Sequence, residues 1–320
     1  MITRIGILTT TAMNHLSFRT TSIDRLDYLS EKLVVNLYLK REDLFGIAGG
    51  GSKARMLQYI LQKAKNENAD YIVTAGGPFS NFNRILALMA QKLGMKVRLI
   101  LYDKNTHLDR VSLNKRVCDL AGVEYVLCDP ENVAEVLNLD IENLKSRENS
   151  PFFIWGGGQS VEGRFAYFDA VKEIKEFNQV IPDILATALG TGTTFSGLYL
   201  GCKTYFPDCL TLGISIARTK TQAAPIVKQT ISNLAKHLEL KKQEEHPADQ
   251  IVDDFLFGGY GKTSPECKEF IQTTSLKEAI LFDDIYVGKI LFGLCKIIEN
   301  NPNIKGKNIV FLNTGGIFNF

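Results

Sequence analysis

No CxxC pair occurs among the six cysteines, which stand apart at 118, 128, 202, 209, 267 and 295. That spacing argues against a disulfide frame or a zinc site and for reduced, partly buried thiols. Histidine is scarce too: the four, at 15, 107, 237 and 246, have no partner at metal-ligand spacing, and no metal is expected. No uninterrupted apolar run approaches the ~18 residues of a membrane span, and no basic segment followed by an apolar stretch opens the chain. The expectation is a cytoplasmic protein without a membrane partner. An excess of charge of one sign is also missing: the net charge is +2, which gives no electrostatic reason to expect nucleic acid or an acidic membrane as partner. The stretch from Lys236 to His246, where lysine and glutamate alternate, reads as a solvated helix end or loop.

What is present describes an ordinary globular chain, with 45% apolar and 22% charged residues. Its 320 residues exceed one ordinary domain and allow roughly two. Strand and helix patterns alternate. Tyr71 to Ala75 reads as a buried strand, Ile85 to Leu93 as a helix, Val97 to Tyr102 as a strand, Ser112 to Leu120 as a helix and Tyr125 to Cys128 as a strand. The order repeats with strand Ile184 to Leu189, helix Phe195 to Tyr205 and strand Leu212 to Ile216. Ile290, Leu294, Ile297 and Ile298 then form an apolar helical stripe before a last strand at Ile309 to Asn313. Such alternation makes parallel sheets. The region from Phe152 to Gly163 interrupts it and reads as a crossing between two lobes. The expected fold class is therefore α/β, in two lobes with a ligand cleft between them, lined by glycine-rich turns at 76–81, 190–194 and 314–316.

Chemistry gathers at a few points. In Gly49-Gly50-Gly51-Ser52-Lys53 the glycines let backbone approach a flat ligand. Met56, Leu57, Ile60, Leu61 and Ala64 then fall on one helical face, with Ser52 a candidate N-cap. Lys53 in the first turn feels the positive end of the helix dipole, which favours the neutral amine that a Schiff-base lysine needs. The turn Gly190-Thr191-Gly192-Thr193-Thr194 suits either a phosphate cup or a tight strand-to-helix connection without a ligand. It is no dinucleotide fingerprint, because Phe195 stands where the third glycine belongs. Gly261-Lys262-Thr263 imitates a P-loop ending, yet Leu256 takes the place of its first glycine. Ser80 and Asn81 open a helix, where they can receive a carboxylate or simply cap it. Tyr260 and Tyr286 are less specific, since most tyrosines are packing residues.

A candidate Schiff-base lysine, a phosphate cup and a carboxylate-binding helix start are together the parts of a pyridoxal phosphate enzyme. In order and spacing the chain resembles the D-cysteine desulfhydrase and 1-aminocyclopropane-1-carboxylate deaminase family, from Lys40-Arg41-Glu42-Asp43 to the C-terminus. The family's Gly-Gly-Asn-Lys is Gly50-Gly51-Ser52-Lys53 here, and its Gln-Ser-Asn-His or Gln-Ser-Asn-Gln turn is Phe79-Ser80-Asn81-Phe82. Its glycine-rich phosphate loop corresponds to Gly190 to Thr194, its two tyrosines to Tyr260 and Tyr286, and its closing His-Thr-Gly-Gly to Asn313-Thr314-Gly315-Gly316. The resemblance implies a two-lobe tryptophan synthase β-like fold, each lobe a largely parallel sheet flanked by helices. Residues 1–50 and 160–320 would form the large cofactor-binding domain and 51–159 the small inserted domain. It also implies pyridoxal 5'-phosphate as cofactor, a small amino acid as substrate and a homodimer.

By the same resemblance Lys53, Ser80, Tyr260 and Tyr286 are the expected catalytic residues. Lys53, Asn81, Gly190, Thr191, Gly192, Thr193, Thr194 and Thr314 would bind the cofactor, and Ser80, Asn81 and Phe82 the substrate. Four departures bear on the reaction. A basic residue of the family near the phosphate is Met56 here. Phe82 replaces the polar residue after Ser-Asn, removing a hydrogen-bond donor from beside the substrate. Val287 and Thr314 stand where the deaminases carry glutamate, facing the pyridine nitrogen, and leucine. Without that acid the ring is the weaker electron sink, which suits β-elimination from a substrate such as D-cysteine. Ring opening, β-replacement and an inactive ligand-binding relative are the alternatives.

Overall fold

The computed structural model describes residues 16, 19–47, 49–102, 112–240 and 246–319, so His15 and His107 lie outside the described residues. In chain order the elements begin with β1 (Ile23–Arg25), α1 (Asp27–Leu33), β2 (Asn36–Lys40), α2 (Ser52–Asn66), β3 (Tyr71–Gly76), α3 (Asn81–Lys92) and β4 (Lys96–Leu101). They continue with α4 (Leu113–Leu120), β5 (Glu124–Leu127), α5 (Val133–Ser146), β6 (Pro151–Phe153), α6 (Val161–Phe177), β7 (Ile184–Leu189) and α7 (Thr193–Tyr205). The series closes with β8 (Leu210–Ser215), α8 (Lys220–His237), β9 (Ile251–Val252), α9 (Pro265–Glu278), α10 (Val287–Glu299) and β10 (Asn308–Leu312). Two compact units result. One contains Lys53–Gly163; the other contains Arg19–Phe45, Gly49–Ser52 and Arg164–Phe320.

The first unit is built on a parallel sheet in the order β5-β4-β3-β6. Every residue of β3 is buried, as a central strand covered on both faces requires, which is why its sequence is apolar on both faces rather than alternating. Its one hydroxyl, on Thr74, donates to Ile154 O at 2.7 Å. Tyr71, Val73, Ala75 and Ile100 pack with Leu137 and Leu144 of α5. Ser80 and Ser112 cap α3 and α4 by accepting from Asn83 N at 3.2 Å and Lys115 N at 3.2 Å. Helix α3 starts at Asn81, where Ser80 and Asn81 are expected to open it, and so extends the apolar pattern of Ile85 to Leu93 back to that cap. The expected crossing from Phe152 onward begins instead as strand: Pro151, Phe152 and Phe153 pair in parallel with Tyr71, Ile72 and Val73. A proline is tolerated there because β6 is an edge strand and Pro151 its first residue.

The second unit carries a sheet in the order β1-β2-β10-β7-β8-β9, parallel except for β1 against β2. Its core joins Leu37, Leu39, Ile309 and Phe311 of the central strands to Val287, Ile290, Leu291 and Leu294 of α10 and Cys267 and Ile271 of α9. The carboxyl ends of β7 and β10 open into the 190–194 turn and the 313–316 turn, so both glycine-rich segments lie at the same edge of this sheet. All the cysteines are free. Among the described residues no helix is long and apolar enough to cross a membrane, and no group of histidine, cysteine and carboxylate side chains could hold a metal ion.

Candidate active site

Lys53 is the second residue of α2. The helix begins at Ser52 itself, so the expected serine cap is replaced by backbone: Ser52 N donates to Thr314 O at 2.9 Å. Gly51, at φ +105°, makes this junction possible, since a Cβ there would stand 2.7 Å from Thr314 O. The Lys53 Nζ donates to Gly157 O at 3.1 Å and lies 4.0 Å from Met56 Sδ. Burial pushes the amine down to about 8. Met56, the departure near the phosphate, is fully buried, and its sulfur would meet a Cβ on Gly158 at 3.1 Å. It thus serves as packing beneath the Gly156–Gly158 turn that receives the lysine.

In the same unit Ser80 Oγ is engaged as the α3 cap, which leaves its hydroxyl proton for another acceptor. The first N–H groups of the helix have no intrahelical partner. Asn81 Oδ1 is buried and has no hydrogen-bond partner among the described residues. Phe82 is buried at 2% exposure, whereas Phe79 is exposed. The turn bearing them is fixed from α4 and its cap, by Ser112 Oγ to Pro78 O at 2.6 Å and Asn114 Nδ2 to Phe79 O at 3.0 Å.

The second unit holds the other expected residues. Gly192, at φ +89°, is the N-cap of α7, and as a glycine it offers no side chain to the first-turn amides. Thr191 Oγ1 and Thr193 Oγ1 are 3.1 Å apart at this mouth, and Arg218 donates to Gly190 O behind it. An open helix start edged with hydroxyls is suited to an anion. Tyr260 and Tyr286 are brought together: their hydroxyls hydrogen-bond and their rings meet edge to face at 5.8 Å. Burial raises the Tyr286 phenol well above its ordinary range, and the packing around the Tyr260 hydroxyl raises that phenol less, the residue being 57% exposed, so both keep their protons at neutral pH. Val287 lies in the apolar core at 1% exposure, and Thr314 is half-buried beside Gly51.

Reasoning from the sequence missed Asp283. Its carboxylate is 3% exposed and accepts from Ile285 N at 3.2 Å, Tyr286 N at 2.8 Å and Val287 N at 2.8 Å, so it caps α10 and fixes the backbone of Tyr286. Burial raises it to about 6 against those three donors. Gly316 is needed beside it, because a Cβ there would stand 2.7 Å from Asp283 Cγ. A carboxylate three residues before a tyrosine carries no signal by itself in a chain with 35 acidic residues.

Unit by unit, these residues have the chemistry that an aldehyde cofactor bearing a phosphate calls for. Lys53 presents an amine with a lowered proton affinity, α7 an uncapped start, and Asn81 a buried carboxamide that rotation turns into a donor toward a phenolate oxygen. A sequence-family model described as "Pyridoxal-phosphate dependent enzyme" matches residues 16–315. A Pyrococcus horikoshii protein provisionally named 1-aminocyclopropane-1-carboxylate deaminase is 32% identical over 300 residues, covering 93% of this chain and 89% of the relative. A D-cysteine desulfhydrase from Klebsiella pneumoniae is 28% identical over 302 residues, covering 92% and 91%. The crystal structure of an ACC deaminase homologue superposes with a TM-score of 0.85 at 30% identity, covering 94% of this chain and 90% of that one.

Proposed function

Because the chain belongs to the family of pyridoxal-phosphate dependent enzymes, we propose that it is a lyase that eliminates the β-substituent of a small D-amino acid such as D-cysteine. The products would be pyruvate, ammonia and the leaving group. When bound, the cofactor supplies an electrophilic carbon for the substrate amine and an electron sink for the charge left at Cα. Lys53 would hold the cofactor and, once released, take the Cα proton on Nζ. An amine near 8 can accept that proton and give it up again at neutral pH. The 190–194 turn would hold the phosphate, and Ser80, with the free amides of α3, the substrate carboxylate. The Asn81 carboxamide would face the phenolic oxygen. The Cβ–S bond breaks as its electron pair leaves on sulfur, and the protonated phenols of Tyr260 and Tyr286 are the groups fit to donate a proton to it. Water then replaces nitrogen in the released aminoacrylate.

The observation that carries elimination over ring opening is Val287, an apolar side chain buried in the core where the deaminases carry an acid. The deaminase reading has the names of the two relatives other than the desulfhydrase in its favour. The test compares kcat/KM for pyruvate release from D-cysteine and β-chloro-D-alanine with that for 1-aminocyclopropane-1-carboxylate. The eliminations should be ahead by about tenfold or more, which is ~1.4 kcal/mol in the barrier. β-Chloro-D-alanine should outrun D-cysteine, because Phe82 offers apolar surface and no donor. A preference for the cyclopropane would overturn the reading.

A further inference from the structure

The Lys289 side chain is fully buried in the first turn of α10, where the helix dipole disfavours a cation, and among the described residues no carboxylate pairs with it. Its Nζ instead donates to Leu256 O at 2.7 Å, Gly259 O at 3.1 Å and Ile216 O at 3.2 Å, and lies 5.6 Å above the Phe257 ring. Three carbonyl acceptors define the protonation state. An ammonium has three donors and no acceptor, whereas a neutral amine would turn its lone pair toward one of the oxygens. The ring face adds attraction for a positive charge.

Two of those carbonyls bracket the turn that carries Tyr260. Phe257, Gly258, Gly259 and Gly261 have φ of 52°, 93°, 121° and 71°. A phenylalanine in that region is costly unless its surroundings hold it there. The turn's own backbone bonds, Gly259 N to Leu256 O and Lys262 N to Gly259 O, involve the same carbonyls that Lys289 gathers. We infer that Lys289 is a positioning residue that acts as a tethered monovalent cation, folding the 256–261 turn around its charge and so holding the Tyr260 phenol against Tyr286. The inference goes beyond the proposed elimination, since a cation site organises the phenol pair whatever the substrate.

The test replaces Lys289 with Ala, which leaves room for a small ion, and with Met, which fills the space without charge. The readout is that part of the phenol titration which Tyr260→Phe removes, followed by ultraviolet absorbance without cofactor or substrate, so that it stands apart from any failure of the elimination reading. In tetramethylammonium chloride, K289A should titrate at a lower pH than wild type, toward the ~10 of an ordinary tyrosine. Ammonium or potassium should restore the wild-type titration to K289A but not to K289M, and should restore about tenfold or more in kcat/KM where the substrate is known. If K289A folds only with an ion present, recovery in ammonium or potassium and not in tetramethylammonium supports the inference equally. A wild-type titration of K289A in tetramethylammonium overturns it, as does equal rescue of K289M. Failure of every small cation to restore either folding or the titration also overturns it.

Discussion

Two lysines, each in the first turn of a helix and each withdrawn from water, have burial working against their charge and differ in the oxygens that offset it. Burial lowers Lys289 too, but three carbonyls accept from its ammonium; Lys53 has one carbonyl and a thioether, and its amine falls to about 8. Below pH 8 the folded chain bears the cost of a buried ammonium, and that cost is relieved as pH climbs from 8 toward the ordinary 10.5. At pH 7 about a tenth of Lys53 is then the neutral nucleophile, against roughly one part in three thousand for an unperturbed lysine. The rate at which apoprotein takes up pyridoxal 5'-phosphate should therefore rise with pH and level off just above 8. A rise that continues to pH 10 would show an ordinary lysine. Borohydride reduction should fix the label on Lys53, and Lys53→Ala should lose both label and turnover. Lys53 was legible in the sequence because three consecutive glycines before a helical stripe are uncommon. Asp283 and Lys289 were not, because their partners are main-chain atoms, some of them, at 216, 256 and 259, far off in sequence.

Helices and strands were legible where one signal dominated. The runs of β3, β7 and β10 are apolar but for Thr74, Thr187 and Asn308, and the stripe of α10 has helical spacing. Helix α8 was missed: Pro225 is its sixth residue, and a proline inside a helix reads as a break. The signal for it was the capping box of Thr219 and Gln222 that starts it. Least legible was the polar support under β2. Lys40 is fully buried and donates to Glu173, to Thr21 O at 2.6 Å and to Thr21 Oγ1 at 2.6 Å, with Glu42 Oε1 at 3.9 Å. Lys40 O then accepts from Asn313 N, and Glu42 O from Gly51 N, so this network underlies both glycine turns of the candidate site. Without Glu173 the buried Lys40 ammonium loses its nearest carboxylate and keeps the longer contact to Glu42. Glu173→Ala should thus cost about 3–5 kcal/mol, measured as a drop in the urea midpoint. Lys40→Met in the Glu173→Ala background should recover part of it, and additive losses in that double-mutant cycle would refute the coupling.

Across the whole molecule, two of the buried polar atoms without a partner among the described residues fall at or beside the residues that catalysis would use, while others, such as Thr187 Oγ1 in β7, do not. Asn81 Oδ1 and Asn313 Nδ2 are buried without partners among the described residues, α7 has an uncapped start, and Lys53 holds an amine that burial disfavours as a cation. A chain selected for stability alone would cap the helix and pair the amides. Pyridoxal 5'-phosphate can meet several of these needs at once, so its binding should raise the melting temperature of the protein. At a free concentration a hundredfold above Kd the gain is about 2.7 kcal/mol. Spread over the unfolding entropy of a chain of this length, that is a shift of roughly 4 °C. The shift should divide into separable parts. Lys53→Ala removes the covalent bond and leaves the α7 start intact, so it should keep a smaller positive shift. Thr191→Ala with Thr193→Ala in the Lys53→Ala background should abolish what remains, and inorganic phosphate should reproduce a fraction of it in the wild type only while those hydroxyls are present. An equal shift in wild type and Lys53→Ala would mean that the lysine adds nothing to holding the cofactor. A shift that survives loss of both threonines would move the phosphate away from the α7 mouth.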